Sequence, residues 1–337
     1  MKTRLAVVAL VAVSVAAVLG GIEITDLTQG ARVDAAKTFL DRYVARNGRV
    51  MRTDQGNDTV SEGQAYAMLL AAATREGRRF ASVWGWTKNH LQRSDSLFAW
   101  RWANGRVVDN EPASDADLDI ARALLVGAKH FRRPAYRSEA RRIAAAVLER
   151  ETATFGARRL LLPGPWGREE RMFNPSYVAP KTFAMLSSDW DAVSEGSVAA
   201  VRELMADGAL PPDWARIDDD GSVRPSGPPG NEGAGADYTY DAPRTLMRLA
   251  EACDDETRAI GAGAVERAGA VADGATHPVW IVGAAAASFA AGDRTSGERL
   301  LDEATELAER SPTYYGWALV ALGRTMLTTD ASGSCPA

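Results

Sequence analysis

The stretch ASDADLDIA, residues 113–121, opens a segment whose apolar residues recur at helical spacing as far as residue 131. Ser114 is a typical N-cap residue, and acids in a first helical turn interact favourably with the helix dipole. Asp115 and Asp119 lie on one helix face, whereas Asp117 points elsewhere. We therefore predict that a helix begins here and that its start carries acids available for chemistry.

The same helical spacing recurs along the rest of the chain, in twelve segments altogether. Strand-like alternation is almost absent, and 160–162 is the best short exception. The twelve segments are 33–46, 62–76, 80–92, 116–131, 136–151, 175–187, 190–206, 238–252, 256–270, 278–291, 295–309 and 313–327. The sequence therefore predicts an all-α protein built from paired helices.

Twelve helices form either a solenoid of hairpins or a closed ring in which inner helices alternate with outer ones. A solenoid carries a sequence signature at a fixed period, and this chain has none. Three longer interruptions carry distinctive residues, as loops at a functional mouth do: 93–112, 160–174 and 218–237. No linker divides the chain, so we predict one domain.

Composition and charge narrow the class of protein. The 337 residues are 46% hydrophobic with a net charge of −5, which allows a large core and argues against a nucleic-acid-binding protein. His90, His130 and His277 are far apart and form no metal-ligand pair. A calcium loop is excluded, since Ile120 stands where glycine is required and Val126 where glutamate is required. We therefore predict no metal, no cofactor and no nucleic-acid partner.

Residues 1–21 predict a signal peptide or an N-terminal anchor. Lys2 and Arg4 precede an apolar run over 5–19, which is typical of a signal peptide and shorter than the about 20 residues that span a membrane. We expect a secreted or extracytoplasmic protein, with an uncleaved membrane anchor as the alternative. In that compartment Cys253 and Cys335 either form a disulfide or stay apart, with Cys253 a buried helix residue.

A second acid stands at the helix start in TVSEGQ, residues 59–64. Thr59 with Glu62, and Ser61 with Gln64, both match a helix capping box. Capping leaves Gly63 unexplained, because glycine is a poor helix former. A glycine at this position permits close approach of another backbone or of a ligand.

A third acid lies in DYTYDAPR, residues 237–244. Thr239 or Asp241 is a candidate cap for the next helix, with Pro243 in its first turn. If the helices surround a common axis, the inner helices start at one end, and Glu62, Asp115 and Asp241 meet there. Hydrolysis of a glycosidic bond needs one carboxylic acid to protonate the leaving oxygen and one carboxylate to activate water.

Aromatic residues accompany these acids. Trp100 and Trp102 lie in one of the long interruptions, where fewer core positions are expected, and Tyr177 follows another. Flat rings suit the apolar faces of sugars, whereas most buried aromatic residues simply belong to the core. We predict that residues of this set line a cleft.

Four segments in this order resemble glycoside hydrolase family 8. They are Ser61-Glu62-Gly63-Gln64, the stretch 113–121, Asn174-Pro175-Ser176-Tyr177 and Tyr240-Asp241-Ala242-x-Arg244. The resemblance extends over residues 30–327 and is nearest to the short, single-domain endoglucanases that accompany bacterial cellulose synthesis.

The resemblance implies an (α/α)6 barrel of about twelve helices in inner and outer rings, with an open cleft at one end. It implies one catalytic domain over 30–328, followed by a tail over 329–337. It also implies an inverting glycosidase in which Glu62 is the general acid, Asp241 the general base, and Asp115 binds and distorts the sugar. The residues expected to bind substrate are Trp100, Trp102, Tyr177, Tyr240 and Arg244.

The substrate predicted by the resemblance is β-1,4-glucan, cut by an endo-acting, monomeric enzyme. Xylan, chitosan and mixed-linkage glucan stay as alternatives, because a few cleft residues distinguish these polymers. A non-catalytic glycan-binding protein and a helical interaction solenoid are alternatives of another class. In the enzymatic hypotheses the polysaccharide is the partner.

The mechanism places a physical demand on Glu62. A general acid is protonated near neutral pH, yet a helix N-terminus lowers the pKa of a carboxyl group. Burial or an ionised neighbour such as Asp115 raises that pKa. We therefore expect Glu62 to be buried, to lie near Asp115, or both.

Overall fold

A computed structural model describes residues 35–336, and the predicted leader, residues 1–21, lies outside them. This part of the chain contains fourteen helices: α1 (35–43), α2 (Ser61–Ala73), α3 (Gly77–His90), α4 (Ser114–His130), α5 (Pro134–Arg150), α6 (Gly167–Glu170), α7 (Pro180–Leu186), α8 (Asp191–Leu204), α9 (Ala242–Ala250), α10 (Asp255–Ala262), α11 (Val265–Ala272), α12 (Pro278–Ala290), α13 (Arg294–Arg310) and α14 (Tyr314–Thr328). None of the helices in this range is long and apolar enough to cross a membrane.

Eight short strands accompany the helices. They are β1 (Thr59–Val60), β2 (Ala99–Ala103), β3 (Arg106–Pro112), β4 (Thr152–Phe155), β5 (Arg158–Leu161), β6 (Met172–Phe173), β7 (Trp214–Ile217) and β8 (Val223–Ser226). β1, β2 and β3 form one antiparallel sheet, β4 pairs with β5, and β6, β7 and β8 form another antiparallel sheet.

The helices form two concentric rings. In the inner ring α2, α4, α7, α9, α12 and α14 each pack on the next, and α14 closes on α2. The inner helices are buried on nearly every side, whereas an outer helix buries one stripe only. In α13 that stripe is Gly297, Leu301, Ala304 and Ala308. The predicted (α/α)6 barrel is confirmed.

The outer helices return the chain between inner ones, so every inner helix starts at the same end of the barrel. We call this the cleft end, since α2, α4 and α9 begin there with the three predicted acids in or next to their first turns. The opposite end, where the inner helices finish, is the closed end.

All twelve predicted segments contain helix, with two differences in detail. The segment 256–270 divides into α10 and α11 around Gly263 and Ala264. The segment 175–187 starts as a 3-10 turn, Pro175–Tyr177, and α7 begins only at Pro180. Proline disfavours helical backbone in the residue before it, and Ala179 accordingly has φ −123° and ψ 76°.

The strands β2 and β3 occupy an interruption that the sequence pattern left as a loop. Both faces of these strands are partly exposed, so they show no clean alternation of apolar and polar residues. Their turn is Asn104-Gly105, with φ values of 53° and 78°. Asn-Gly is the strongest short-range hairpin signal in a sequence, and it would have located this hairpin.

Residues 329–336 follow α14 without helix and cover part of the closed end. Cys335 is joined to Cys253, with the two Cα atoms 5.6 Å apart, which decides between the two alternatives left open by the sequence. Ser332 is buried, and its carbonyl oxygen accepts a 2.9 Å hydrogen bond from Nε of Arg122 on α4. The tail is therefore fixed by a covalent bond and by buried polar contacts.

Candidate active site

Glu62 is the second residue of α2, and neither predicted capping box forms. The Thr59 hydroxyl donates to the carbonyl of Val50 (2.6 Å), and the Gln64 amide oxygen accepts from the N–H of Val50 (2.5 Å). The Gln64 amide also donates to the Thr87 hydroxyl (2.8 Å). The capping interpretation was wrong, because these polar groups attach the preceding loop and α3 to α2 and do not engage the Glu62 carboxyl.

Gly63 is explained by the packing of α2 on α14. A Cβ atom at this position would lie 2.2 Å from the hydroxyl oxygen of Tyr314, so only glycine permits this approach. Tyr314 is buried, and its ring also contacts Phe39 and Tyr43 of α1. The predicted close approach is present, but the neighbour is a side chain rather than a backbone or a ligand.

Asp115 lies buried in the first turn of α4. Its Oδ2 accepts a 2.8 Å hydrogen bond from Nη1 of Arg244 on α9. The predicted N-cap, Ser114, does not cap the helix: its hydroxyl donates to the carbonyl of Leu162 at 2.6 Å. That prediction was wrong, because the segment after β5 passes within reach of the hydroxyl. The contact fixes the start of α4, and with it Asp115.

Arg244 connects the acids to one another. Its Nη1 donates to Asp115 (2.8 Å) and to the Tyr66 hydroxyl (2.9 Å), and its Nη2 donates to Asp241 (2.9 Å) and to the Ser176 hydroxyl (3.0 Å). The side chain is only 5% exposed, and a buried charge of this kind requires such compensation. One guanidinium thus holds α2, α4, α9 and the turn before α7 together.

Asp241 immediately precedes α9, and its side chain is 31% exposed at the cleft end. It also accepts a 3.3 Å hydrogen bond from Asn174. Asp213 takes over the capping of α9, accepting from the N–H of Ala242 (2.7 Å) and of Thr239 (3.1 Å). The prediction that Thr239 or Asp241 is the cap was wrong. Because Asp213 accepts the backbone N–H at the start of α9, the Asp241 carboxylate is not needed as a cap and remains accessible to solvent.

Burial raises the pKa of Glu62 to about 7. The positive charge of Arg244 opposes this shift, while the charges of Asp115 and Asp241 add to it. Burial also raises the pKa of Asp115, against the effect of Arg244. Both causes named from the sequence, burial and the Asp115 charge, therefore act on Glu62 in the expected direction.

Trp100 and Trp102 lie on β2, which pairs with β1, and β1 ends two residues before Glu62. Trp100 is 36% exposed. Trp102 is partly buried, and its ring meets those of Trp86 and His90 edge-on at centroid distances of 5.7 and 5.1 Å. Of the two indoles, Trp100 therefore offers the more accessible surface beside the acid.

Tyr177 and Tyr240 stand close to the other two acids. The guanidinium carbon of Arg244 lies 5.5 Å from the centre of the Tyr177 ring. Tyr240 is 49% exposed, and its ring lies 5.2 Å from that of His277 and 5.6 Å from that of Trp280. Aromatic rings thus accompany the three acids on β2, before α7 and before α9.

Three buried ion pairs continue from the acids into the barrel, between α4 and α9. We call them the axial ladder: Asp115–Arg244 at 2.8 Å, Asp119–Arg248 at 2.5 Å and Arg122–Glu251 at 2.6 Å. The partners in every pair are 129 residues apart in sequence, so the two helices are parallel and in one register. Between them in the ring lies α7, which has only seven residues.

Sequence reasoning missed three polar residues of the site: Tyr66, Ser176 and Asp213. Tyr66 lies one helical turn after Glu62, so the helical spacing would have placed it on the same face. Ser176 belongs to a segment already quoted for its resemblance. Asp213 gave no local signal, because its partners lie 26 and 29 residues further along the chain.

A double ring of helices with carboxyl groups gathered at one end is an arrangement that hydrolysis of a glycosidic bond can use. The chain belongs to glycosyl hydrolases family 8, whose family model matches residues 5–329. The resemblance stated from the four sequence segments is thereby confirmed.

Curated relatives and solved structures are similar over much of the chain. The probable endoglucanase of Novacetimonas hansenii is 35% identical over 225 residues, which are 60% of this chain and 66% of that protein. The endoglucanase of Cellulomonas uda is 33% identical over 215 residues, 57% of this chain and 58% of that protein. The chain thus spans less than two thirds of the length of these relatives.

Among solved structures, the endo-beta-1,4-glucanase CMCax from Acetobacter xylinum has a TM-score of 0.73 and 26% sequence identity. The match covers 89% of this chain and 99% of that one. The Beta-1,3-1,4-glucanase from Paenibacillus sp. X4 has a TM-score of 0.76 at 17% identity over 91% of this chain and 93% of that one. The second similarity concerns the fold alone.

Proposed function

We propose that the protein is an endo-acting glucanase that hydrolyses β-1,4-glucan with inversion at the anomeric carbon. The observation that carries the proposal is the raised pKa of the Glu62 carboxyl group at the cleft end. Burial raises this pKa to about 7, Arg244 opposes the shift, and the charges of Asp115 and Asp241 add to it. A carboxyl group of this kind can hold a proton at neutral pH and release it to a leaving oxygen.

In the proposed mechanism Glu62 protonates the glycosidic oxygen as the bond to the anomeric carbon breaks. Asp241, whose side chain is more exposed than that of Asp115, takes a proton from a water molecule. The oxygen of this water attacks the anomeric carbon from the opposite face. Asp115, oriented by Arg244, accepts hydrogen bonds from the sugar at the cleavage point and favours its distorted form. One water is consumed for each bond cut.

Substrate binding is assigned to the aromatic residues and to the arginine of the cleft end. Trp100 and Tyr240 present the most exposed rings, and we propose that they stack on glucosyl units. Trp102 and Tyr177 support the walls beside them, and Arg244 fixes the acids. The β-1,4-glucan assignment is supported by the similarity to the endoglucanases named above.

The test is release of reducing ends from soluble carboxymethyl cellulose, with xylan, chitosan and mixed-linkage glucan in parallel. We expect activity on the cellulose derivative, and a loss of about 10²–10⁴-fold in Glu62→Gln, because the proton donor is removed. Glu309→Gln, an exposed acid on α13, is the matched control. Viscosity should fall early relative to reducing-end release, since an endo-acting enzyme cuts within chains.

Each remaining outcome of this test changes a defined part of the proposal. Activity on another polymer only, lost equally in Glu62→Gln, would keep the mechanism and replace the substrate. Binding of glucan by a folded protein that cleaves none of the four polymers would indicate a non-catalytic glycan-binding protein. Proton NMR of the first products tests inversion, because the α-anomer must form first from a β-linkage.

We also propose that the protein acts outside the cytoplasm, either secreted or held by its N-terminal segment. The support is the charged start followed by the apolar run over 5–19. Fractionation of cells that express the full chain, followed by N-terminal sequencing of the exported protein, tests export and cleavage separately.

A further inference from the structure

A recess opens at the closed end of the barrel, beside the C-terminal tail. It has a volume of about 820 Å³. Its apolar lining includes Leu125, Leu148, Met185, Leu186 and Trp190. The inner helix α7 ends early, at Leu186, whereas its neighbour α4 continues to His130. The short helix leaves a space in the ring that the tail covers only in part.

Three cationic side chains line this recess and two more line a cavity beside it, and none of the five forms an ion pair within residues 35–336. Lys129, Arg137 and Arg141 line it, and Arg75 and Arg132 line an adjoining cavity of about 510 Å³ that also contacts Lys129. They come from the α2–α3 turn, the end of α4, the α4–α5 turn and α5. In a chain of net charge −5, this end is a local concentration of positive charge that has no ion-pair partner among the described residues.

The recess also contains two carboxylates, but both have partners nearby. Asp189 accepts a 3.2 Å hydrogen bond from the Ser187 hydroxyl. Asp330 lies 4.0 Å from Nζ of Lys181. Neither approaches the five cations closely enough to form an ion pair, so the positive charge is not neutralised from within the described part of the chain.

The lining does not suit a second sugar site or a single-stranded nucleic acid. Single-stranded nucleic acids are bound largely by stacking of their bases on accessible aromatic rings, and the apolar faces of sugar rings stack on the same kind of surface. The described lining has two aromatic side chains, those of His130 and Trp190, and Trp190 is only 2% exposed. An apolar recess with a cationic rim instead matches an amphipathic anion.

We propose that the closed end binds the surface of a membrane that contains anionic phospholipids. Lys129, Arg137 and Arg141 bind lipid phosphates, and the apolar recess receives the hydrocarbon part of a lipid beside them. Asp115 and Lys129 lie at opposite ends of α4, about 20 Å apart at 1.5 Å per residue. The cleft therefore faces away from the membrane and stays open to a polymer.

The test is binding of the full chain to vesicles of phosphatidylcholine alone and of phosphatidylcholine mixed with phosphatidylglycerol. The measured quantity is the ratio of anionic to neutral vesicle affinity, because the apolar run over 5–19 contributes to both. In the triple variant Lys129→Gln, Arg137→Gln, Arg141→Gln we expect this ratio to fall by about two orders of magnitude, roughly fivefold for each cation. Added salt should lower the wild-type ratio.

The matched control removes three positive charges from α13 through Arg294→Gln, Arg299→Gln and Arg310→Gln. We expect it to keep the wild-type ratio. An unchanged ratio in the first variant, or an equal fall in both, overturns the proposal. The proposal is also overturned if the three substitutions weaken binding to soluble poly-glutamate but leave vesicle binding unchanged. That result would indicate an acidic protein partner. Hydrolysis of soluble glucan should be unaffected in both variants, so this proposal fails or succeeds independently of the glucanase activity.

Discussion

At the scale of single residues, the three acids of the cleft end differ in their neighbours. Asp115 is buried against Arg244, and Asp241 shares the same guanidinium but reaches solvent. The carboxyl group of Glu62 accepts no hydrogen bond from the residues that the structure describes, so burial determines its pKa more than any single partner does. Similar positions at helix starts thus place the three carboxyl groups in different electrostatic surroundings.

The pKa of Glu62 predicts the alkaline limit of activity. We expect kcat/KM on soluble glucan to fall as the pH rises through about 7, because Glu62, the proposed general acid, loses its proton. Arg52 also lowers this pKa, so Arg52→Gln should move the fall to higher pH. Arg294→Gln, on an outer helix, is the control. Identical pH–rate profiles for all three proteins would contradict this account.

Glu151 predicts a pH dependence of stability. It is fully buried, and neither carboxyl oxygen has a hydrogen-bonding partner within 35–336. Burial raises its pKa well above the ordinary value of 4.5, and the charge of Asp117 adds to the shift. Because the unfolded chain loses this proton first, the free energy of unfolding falls as the pH rises from about 4.5 towards the raised pKa.

We therefore expect Glu151→Gln to increase the free energy of unfolding at neutral pH and to leave it nearly unchanged below pH 4.5, where both states of the wild type are protonated. Urea unfolding at several pH values measures this. The exposed neighbour Glu149 provides the control Glu149→Gln. The same pH dependence in wild type and Glu151→Gln would show that another group is responsible.

Sequence patterns singled out three acids that the fold brings to one end of the barrel, but they assigned the partners of several neighbouring residues wrongly. Ser114 has the residue type of an N-cap, yet it is the first residue of α4 and its hydroxyl bonds to Leu162, 48 residues later. Gln64 matches a capping box, yet it bonds to Thr87, 23 residues later. A local pattern fixes which polar groups stand at a helix start, but tertiary packing decides which partners they meet.

At the scale of helices and strands, the helical spacing of apolar residues located the elements reliably wherever an element is long. It failed where backbone chemistry interrupts the period, as at Pro180, and where strands are short and exposed on both faces, as in β2 and β3. Small residues decided how closely the inner helices approach. Ala284–Ala287 on α12 are all buried, and Gly63 lets α2 meet α14.

Gly63→Ala tests the contact between α2 and α14. The added Cβ would lie 2.2 Å from the Tyr314 hydroxyl, so we expect a loss of about 1–3 kcal/mol in the free energy of unfolding and reduced activity, because Glu62 is the adjacent residue. Tyr314→Phe in the same chain removes the oxygen and should restore part of both. Thermal unfolding and glucan hydrolysis measure the two effects.

The control for this substitution is Gly85→Ala on α3, where an added Cβ meets nothing within 4 Å. Alanine is the better helix former, so stability there should stay the same or rise by up to about 1 kcal/mol. Equal destabilisation at both glycines would indicate that the Tyr314 contact does not limit the approach of the helices.

At the scale of the whole molecule, the barrel divides its tasks between its ends. The cleft end gathers the acids, whereas the closed end carries the disulfide, the tail attached through it and through Ser332, and the cationic recess. The ring itself could be predicted, since helical spacing and the absence of a repeat favoured it. The tail could not, because only the folded structure shows that residues 82 positions apart in sequence meet.

The disulfide predicts a large effect on stability with little effect on catalysis. By the chain-entropy model, closing a loop of this length contributes about 4–5 kcal/mol. We expect Cys335→Ser to lose a similar amount in urea unfolding and to match the reduced wild type. Hydrolysis at room temperature should persist, because the bond lies at the closed end. Equal stability of wild type and variant without reductant would show that the bond does not form in solution.

The axial ladder restricts the register and the direction in which α9 can pack beside α4 as the barrel folds. Along α4 the charges read negative, negative, positive, and along α9 they read positive, positive, negative. Sliding α9 by one residue turns its side chains by about 100° and separates all three pairs together, whereas reversing its direction brings acid to acid. A single inserted residue between Arg244 and Arg248 would therefore leave several buried charges unpaired at once. Packing of α4 and α9 in a wrong register thus costs far more free energy than the loss of one contact would suggest.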